Sequence, residues 1–393
     1  MNSGNNQNNW IPFNAPSHEQ ADANYVLQAM DSNHRHGDGA FTKRAVSQLE
    51  AITGAHKILL THSCTGALEL AMLLMEISGG DEVILPSFTF SSTANAVVLR
   101  GAIPVFADID PYTQCLDPQS VAKLITSRTR AILPVHYAGI SCDMDALCKL
   151  AKEHSLTILE DAAQTIGSSL NDKALGMFGA LGALSFHDSK NISCGEGGAL
   201  LINNDLLVKR AEILWEKGTN RSQFIRGDVD KYTWCDVGSS FLPSEVTAAF
   251  LTGQLERVEQ INNARRNIWD RYYLAFADSE ARGKCARPHI PTGCKHNGHI
   301  FYLILPNTET RNDFLAHMKA NHIVATFHYV PLHDSPAGKR FGRAPLPLPN
   351  TDRAGHCLVR LPIFPSMTLE QQDRIIHAAE DFFFMKIMKT KLA

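Results

Sequence analysis

The stretch Ala183-Leu184-Ser185-Phe186-His187-Asp188-Ser189-Lys190-Asn191 runs from a short apolar strand into a lysine, and Gly195-Glu196-Gly197-Gly198 follows it. A second apolar strand, 156–159, ends in Glu160-Asp161-Ala162-Ala163-Gln164, placing a carboxylate 29 residues upstream of Lys190. Neither strand alternates apolar with polar residues, so both faces of each are expected to be covered. A lysine and an aspartate just past two such strand ends point to one pocket, because ligands in open α/β sheets collect at the carboxyl ends of the strands. Pyridoxal phosphate chemistry requires this pair. An amine bonds to the cofactor aldehyde, and a carboxylate keeps the pyridinium nitrogen protonated so that the ring draws electrons.

Outward from these strands, residues 65–215 alternate helix and strand. Helical patterns cover 66–77, 93–99 and 143–154, and Asp117-Pro118 opens another helix with an N-cap and a proline at its first position. Strands are read at 82–85, 103–107, 130–135 and 199–202. The pattern predicts an α/β fold with a large, mostly parallel sheet. Residues 218–242 break the rhythm with a polar loop studded with aromatics, a length usually kept for function. A long helical pattern from Ser244 to about Ala277 then leads into a smaller α+β unit. The expected division is a loose polar tail over 1–10, a large domain over 11–265 and a small domain over 266–393.

Composition narrows the class. The 393 residues are 44% hydrophobic and 20% charged, as in ordinary globular proteins. Lys+Arg 37 against Asp+Glu 40 gives a net charge of −3, which argues against a nucleic-acid partner. The Asn-rich start lacks the charged and apolar regions of a signal peptide. Apolar runs fall short of the roughly 20 residues that span a bilayer, so no membrane partner is expected. Phe382-Phe383-Phe384-Met385 reads as part of a last helix packed on the body, with a membrane foot as the alternative. Nine cysteines without metal-ligand spacing read as reduced thiols of a cytoplasmic protein, and no metal site is expected.

Thr61-His62-Ser63-Cys64-Thr65-Gly66 precedes a helix and offers backbone N–H groups and hydroxyls, which suits either a phosphate or a plain helix cap. Ser185 is a second phosphate candidate. Phe90 is read as a core aromatic or as a ring stacked on the cofactor, and Gln164 as an exposed helix residue or as a pocket donor. His328 and His333 are read as sugar or cofactor contacts, or as structural histidines. Lys217, Arg221 and Arg226 are diphosphate candidates, or solvated loop charges.

The motifs Glu160-Asp161-Ala162-Ala163-Gln164, Ser185-Phe186-His187 leading to Lys190-Asn191, Gly195-Glu196-Gly197-Gly198, Pro134-Val135-His136-Tyr137-Ala138-Gly139 and Leu361-Pro362 resemble the DegT/DnrJ/EryC1/StrS sugar-nucleotide aminotransferases. The resemblance implies a pyridoxal-phosphate fold of the aspartate-aminotransferase type (fold type I). It implies that Lys190 carries the cofactor, Asp161 pairs with its ring nitrogen and Gln164 contacts its ring hydroxyl. It further implies that Cys64, Thr65 and Ser185 hold the phosphate and that Phe90 stacks on the ring. Such enzymes are typically homodimers with shared active sites, to which residues 218–242 would contribute in trans. The stretches Ile11-Pro12-Phe13-Asn14-Ala15-Pro16, Pro86-Ser87-Phe88-Thr89-Phe90, Glu216-Lys217-Gly218-Thr219-Asn220-Arg221-Ser222-Gln223-Phe224, Val229-Asp230-Lys231-Tyr232-Thr233-Trp234 and Phe327-His328-Tyr329-Val330-Pro331-Leu332-His333 resemble members that aminate C4 of a dTDP-4-keto-6-deoxy sugar with L-glutamate. Amination at C3, formation of the C4 gluco epimer and a non-catalytic sensor stand as alternatives. Two departures are visible. Ser63-Cys64-Thr65 replaces the Ser-Gly-Thr of many relatives, and Ser240-Phe241-Leu242 replaces their Asn-Tyr-Arg.

Overall fold

A computed structural model describes residues 9–392 of the chain. Seven strands form the main sheet: β1 (Lys57–Thr61), β2 (Glu82–Pro86), β3 (Ile103–Ala107), β4 (Thr129–Ile132), β5 (Thr157–Asp161), β6 (Leu181–Ser185) and β7 (Gly198–Ile202). Their order is β1-β7-β6-β5-β4-β2-β3. The pairs from β3 through β6 are parallel, and β7 runs antiparallel to both of its neighbours. The expected mostly parallel α/β sheet is therefore present. Alternate residues of one strand enter different cores. Leu59 and Leu200 pack on one face, Ile58, Leu60, Ala199 and Leu201 on the other. Burial on both faces is why these strands read as continuous apolar runs.

Register places the site. Thr61 and Ser185 both pair with Gly198, and Asp161 pairs with Ala183. The ends of β1, β5 and β6 and the start of β7 thus share one rim. Two helices, α1 (Gln20–Asp31) and α2 (Ala40–Thr53), precede the alternation legible in the sequence; α3 (Cys64–Leu74) follows β1 and α4 (Ser91–Val98) follows β2. The long pattern after Ser244 divides into α5 (Glu245–Leu255) and α6 (Val258–Ala275). The break falls at Arg257, whose φ of −112° leaves helical geometry. Its guanidinium turns instead to Asp22, at 2.6 and 2.8 Å.

Beyond α6 lies a small antiparallel sheet of β8 (Phe301–Ile304), β9 (Thr326–Phe327) and β10 (Leu358–Leu361), ordered β8-β10-β9. Ile261 of α6 packs with the large sheet, whereas Ile268, Trp269 and Tyr272 pack with the small one. Residues 218–242 are more ordered than their sequence suggests. They hold a short helix, Arg221–Arg226, and bridges join Glu216 to Ser240 and Thr219 to Trp234. Gly218 makes this possible, since a Cβ there would lie 1.9 Å from the Asp236 carbonyl oxygen. Of the polar tail expected over 1–10, residues 1–8 lie outside the described residues. Phe382 and Phe383 of the last helix, α7 (Leu369–Leu392), are buried in the small-sheet core, and no described helix is long and apolar enough to cross a membrane.

Helix α2 begins at Gly39, which has no side chain to cap it. The buried Glu245 carboxylate, from the first turn of α5, accepts the N–H groups of Gly39, Phe41 and Thr42 at 2.9, 2.8 and 3.1 Å. An anion at a helix N-terminus is favoured by the dipole as well as by the bonds. Glu245→Ala leaves these donors unpaired and is expected to lower unfolding free energy by about 2–4 kcal/mol. Urea titration of the variant beside Glu245→Gln checks this, with the amide expected to fall between wild type and alanine.

Candidate active site

The shared rim opens into a cavity of about 480 Å³. Strand alternation sends the two neighbouring carboxylates of β5 apart. Glu160 is fully buried and accepts from the backbone N–H groups of Gly176, Phe178 and Gly179 at 2.8, 2.6 and 2.6 Å. His136 approaches it through Nε2 at 2.8 Å, while His136 Nδ1 accepts from the Cys142 N–H at 3.2 Å. Asp161 faces the cavity. Its Oδ2 accepts from the Thr93 hydroxyl at 2.8 Å and its Oδ1 from the Ala163 N–H at 3.2 Å. Burial pushes the Asp161 carboxyl up from its ordinary range, and the Thr93 bond opposes that shift.

Lys190 lines the same cavity in the turn after β6. Burial pulls its amine below the usual lysine range, while the nearby Asp161 acts in the other direction. Burial likewise drives the Cys64 thiol well up, so it stays uncharged at neutral pH. Thr65 donates its hydroxyl to Ser92 at 2.8 Å, and Ser63 caps α3 by accepting from the Gly66 N–H at 3.0 Å. The first N–H groups of α3 therefore face the rim beside hydroxyls, with Gly198 packed directly against them. A Cβ on Gly198 would lie 2.4 Å from the Cys64 nitrogen.

Of the residues expected at the site, Lys190, Asp161, Gln164, Ser185, Cys64, Thr65, Phe90 and His328 all line this cavity. Phe90 is 61% exposed and not a core aromatic; the buried neighbour is Phe88. Gln164 is buried, accepts from the Ala138 N–H at 2.6 Å and donates to the Tyr329 hydroxyl at 3.2 Å. His328 meets the Tyr137 hydroxyl at 3.0 Å, and burial keeps it well below the ordinary histidine range. The cavity does not gather Lys217, Arg221, Arg226 or His333. Lys217 and Arg221 pair with Glu216, and Arg226 with Glu212 and Asp228. His333 bonds Ser87 at 2.7 Å and Asp352 at 3.2 Å, which ties the 328–333 segment to the end of β2.

Thr93, Tyr329, His299, Arg265 and Arg360 also line the cavity and were not singled out by sequence. Two of them carry a legible signal. Arg265 falls on the buried stripe of α6 formed by Ile261, Ile268, Trp269 and Tyr272, and Arg360 interrupts the apolar strand β10. Thr93 and Asp161 are joined only by the fold.

The arrangement fits pyridoxal phosphate. A lysine amine, a buried carboxylate and a helix start flanked by hydroxyls stand in one cavity, each suited to a different part of that molecule. Gly198→Ala thrusts a methyl group into the start of α3. It is expected to weaken cofactor retention about tenfold or more, at a folding cost of about 1–3 kcal/mol. Equilibrium dialysis of the cofactor against wild type and variant, with a melting curve for each, measures both effects.

Comparison with known proteins agrees with this geometry. The model of the DegT/DnrJ/EryC1/StrS aminotransferase family matches residues 16–380. The spore coat polysaccharide biosynthesis protein SpsC of Bacillus subtilis is 31% identical over 383 residues, covering 95% of this chain and 97% of that protein. Among solved structures, the PLP form of Spr1654 from Streptococcus pneumoniae superposes with a TM-score of 0.87 at 25% identity, covering 96% of this chain and 99% of that one. Helicobacter pylori PseC, an aminotransferase involved in pseudoaminic acid biosynthesis, superposes with a TM-score of 0.87 at 25% identity, covering 96% and 100%.

Proposed function

Since the chain belongs to the DegT/DnrJ/EryC1/StrS aminotransferase family and is a PLP-dependent sugar aminotransferase, we propose that it moves an amino group from L-glutamate to C4 of dTDP-4-dehydro-6-deoxy-D-glucose. The products are dTDP-4-amino-4,6-dideoxy-D-galactose, as used in enterobacterial common antigen or O-antigen synthesis, and 2-oxoglutarate. The observation that carries the reading is the convergence of Lys190 and Asp161 on one cavity. The stretches 11–16, 86–90, 216–224, 229–234 and 327–333 support the narrower choice of sugar. In this reading residues 11–265 form the cofactor-binding domain and 266–393 the smaller one, and two copies share their sites through residues 218–242.

Bound pyridoxal phosphate supplies the electron sink that makes the donor's α-proton labile. The protein's part is positional. Asp161, fixed by Thr93 and Ala163, presents an oxygen to the ring nitrogen and favours its protonated form. The Lys190 amine, less basic than an exposed lysine, would take the proton from the donor's α-carbon and pass it to the cofactor carbon that carries the nitrogen, and in the second half of the cycle would move a proton from that carbon to C4 of the sugar. The start of α3, with Thr65, Ser92 and Ser185 near it, receives the phosphate, and the uncharged Cys64 thiol does not repel it. Gln164 and Phe90, both in the cavity wall, would hold the ring hydroxyl and cover the ring. The presence of Lys190 opposes a dehydratase of the kind that carries histidine at this position.

The test is a product analysis. Purified enzyme with glutamate and dTDP-4-keto-6-deoxyglucose is expected to give a 4-amino sugar with an axial nitrogen, assigned by mass and proton couplings. An equatorial nitrogen, or amination at C3, overturns the choice of product. Lys190→Ala is expected to lose turnover by roughly a thousandfold or more; full turnover in that variant would refute the mechanism.

A further inference from the structure

A buried chain of amide groups starts at the residue after Lys190, and it fixes the state of one histidine in the cavity wall. Asn191, Asn262, Asn297 and His299 are all buried. Asn191 donates Nδ2 to Asn262 Oδ1 at 2.8 Å and to the Asn297 carbonyl oxygen at 2.9 Å. Neither partner has a proton to give in return. A carbonyl oxygen carries none, and Asn262 spends its own Nδ2 on the Ile166 carbonyl oxygen at 2.9 Å. The Asn191 amide therefore has one orientation, with Oδ1 facing His299 Nδ1 at 2.8 Å. An amide oxygen only accepts, so Nδ1 carries the ring proton. Burial holds the ring well below the ordinary histidine range and keeps it neutral, which leaves a lone pair on Nε2. His299 lines the active cavity. Among the described residues Nε2 has no protein donor, and it is not sealed away from solvent.

We propose that His299 Nε2 accepts the hydroxyl hydrogen of the sugar carbon next to the carbonyl that receives the nitrogen, and so selects the acceptor substrate. This deepens, and rests on, the reading of the chain as an enzyme that aminates C4 of a keto sugar, and it makes the hydroxyl that of C3. The chemistry of the wall singles out such a group. A neutral nitrogen with a lone pair must be met by an O–H or N–H. The carboxylates of an amino-acid donor carry no proton at neutral pH, and its single amine is taken up in the transfer. A sugar brings hydroxyls. Position narrows the choice to one near the reacting carbon. His299 is held by the residue that follows Lys190, and it lies close enough for the lysine charge to oppose a second proton on the ring. A buried acceptor of this kind discriminates well, because a substrate without the hydroxyl leaves it unpaired.

The experiment follows the two half-reactions separately by absorbance. The PLP holoenzyme is mixed with glutamate, and the pyridoxamine form with dTDP-4-keto-6-deoxyglucose or its 3-deoxy analogue. Calorimetry on the PLP form, which has no amine to transfer, reads the affinity of each sugar. Wild type is expected to lose about tenfold in acceptor rate and affinity with the analogue, the order of one hydrogen bond. The variant is His299→Asn, whose Nδ2 stands where the ring Nδ1 stood and still donates to Asn191, while nothing replaces Nε2. It is expected to lose about tenfold with the parent sugar, to treat the two sugars alike within twofold, and to react with glutamate within twofold of wild type. A histidine that only supports the network predicts otherwise. A variant that still discriminates between the sugars, or that slows both half-reactions equally, overturns the proposal. So does a wild type indifferent to the 3-hydroxyl, a comparison that needs no variant. Wild type that exchanges its amine with glutamate yet aminates no dTDP keto sugar, or aminates at C3, sinks the C4 reading and this choice of hydroxyl with it.

Discussion

Two carboxylates side by side at the end of β5 must be satisfied in opposite directions, and the geometry of the site depends on it. Glu160 has no access to water and is met by three backbone N–H groups and by His136. A buried charge of this kind is tolerated only when its hydrogen bonds are complete. Its three backbone partners lie between β5 and β6, so their bonds lock the segment that leads from one site strand to the next. With Glu160 pinned on one face, Asp161 is directed to the other. A slip of one residue would exchange them and put an unpaired carboxylate into the core.

The rim on the other side of β6 is built by absence. Gly198 pairs with both Thr61 and Ser185, and its missing side chain lets the start of α3 come against the sheet. A helix start in that position turns N–H groups and partial positive charge toward the cavity. The lysine, the aspartate and the helix start therefore owe their common cavity to strand register rather than to proximity along the chain.

This explains what could be read from sequence. Strands buried on both faces announce themselves as apolar runs, and the groups at their ends, Asp161 and Lys190, could be placed on one rim from topology alone. The Thr93–Asp161 bond spans 68 residues and leaves no periodic trace. The break at Arg257 was hidden because both halves of the pattern are helical, and the cause lies in Asp22 near the other end of the chain. Arg265 and Arg360 were visible as charges on apolar stripes, but only the cavity gives those charges a direction.

The loop cations carry a different kind of information. Lys217, Arg221 and Arg226 are matched within the chain by Glu216, Glu212 and Asp228, and all three are partly exposed. Glu216 and Glu212 are themselves buried and only Asp228 is exposed, so the Arg226–Asp228 pair alone is of the exposed kind that is worth little. Tyr232 and Trp234 in the same segment are 53% and 79% exposed, with apolar surface still to be covered. A segment with partly exposed cations and uncovered aromatics suits the proposed role at a second subunit's cavity. There its arginines and lysine would meet the nucleotide end of the substrate.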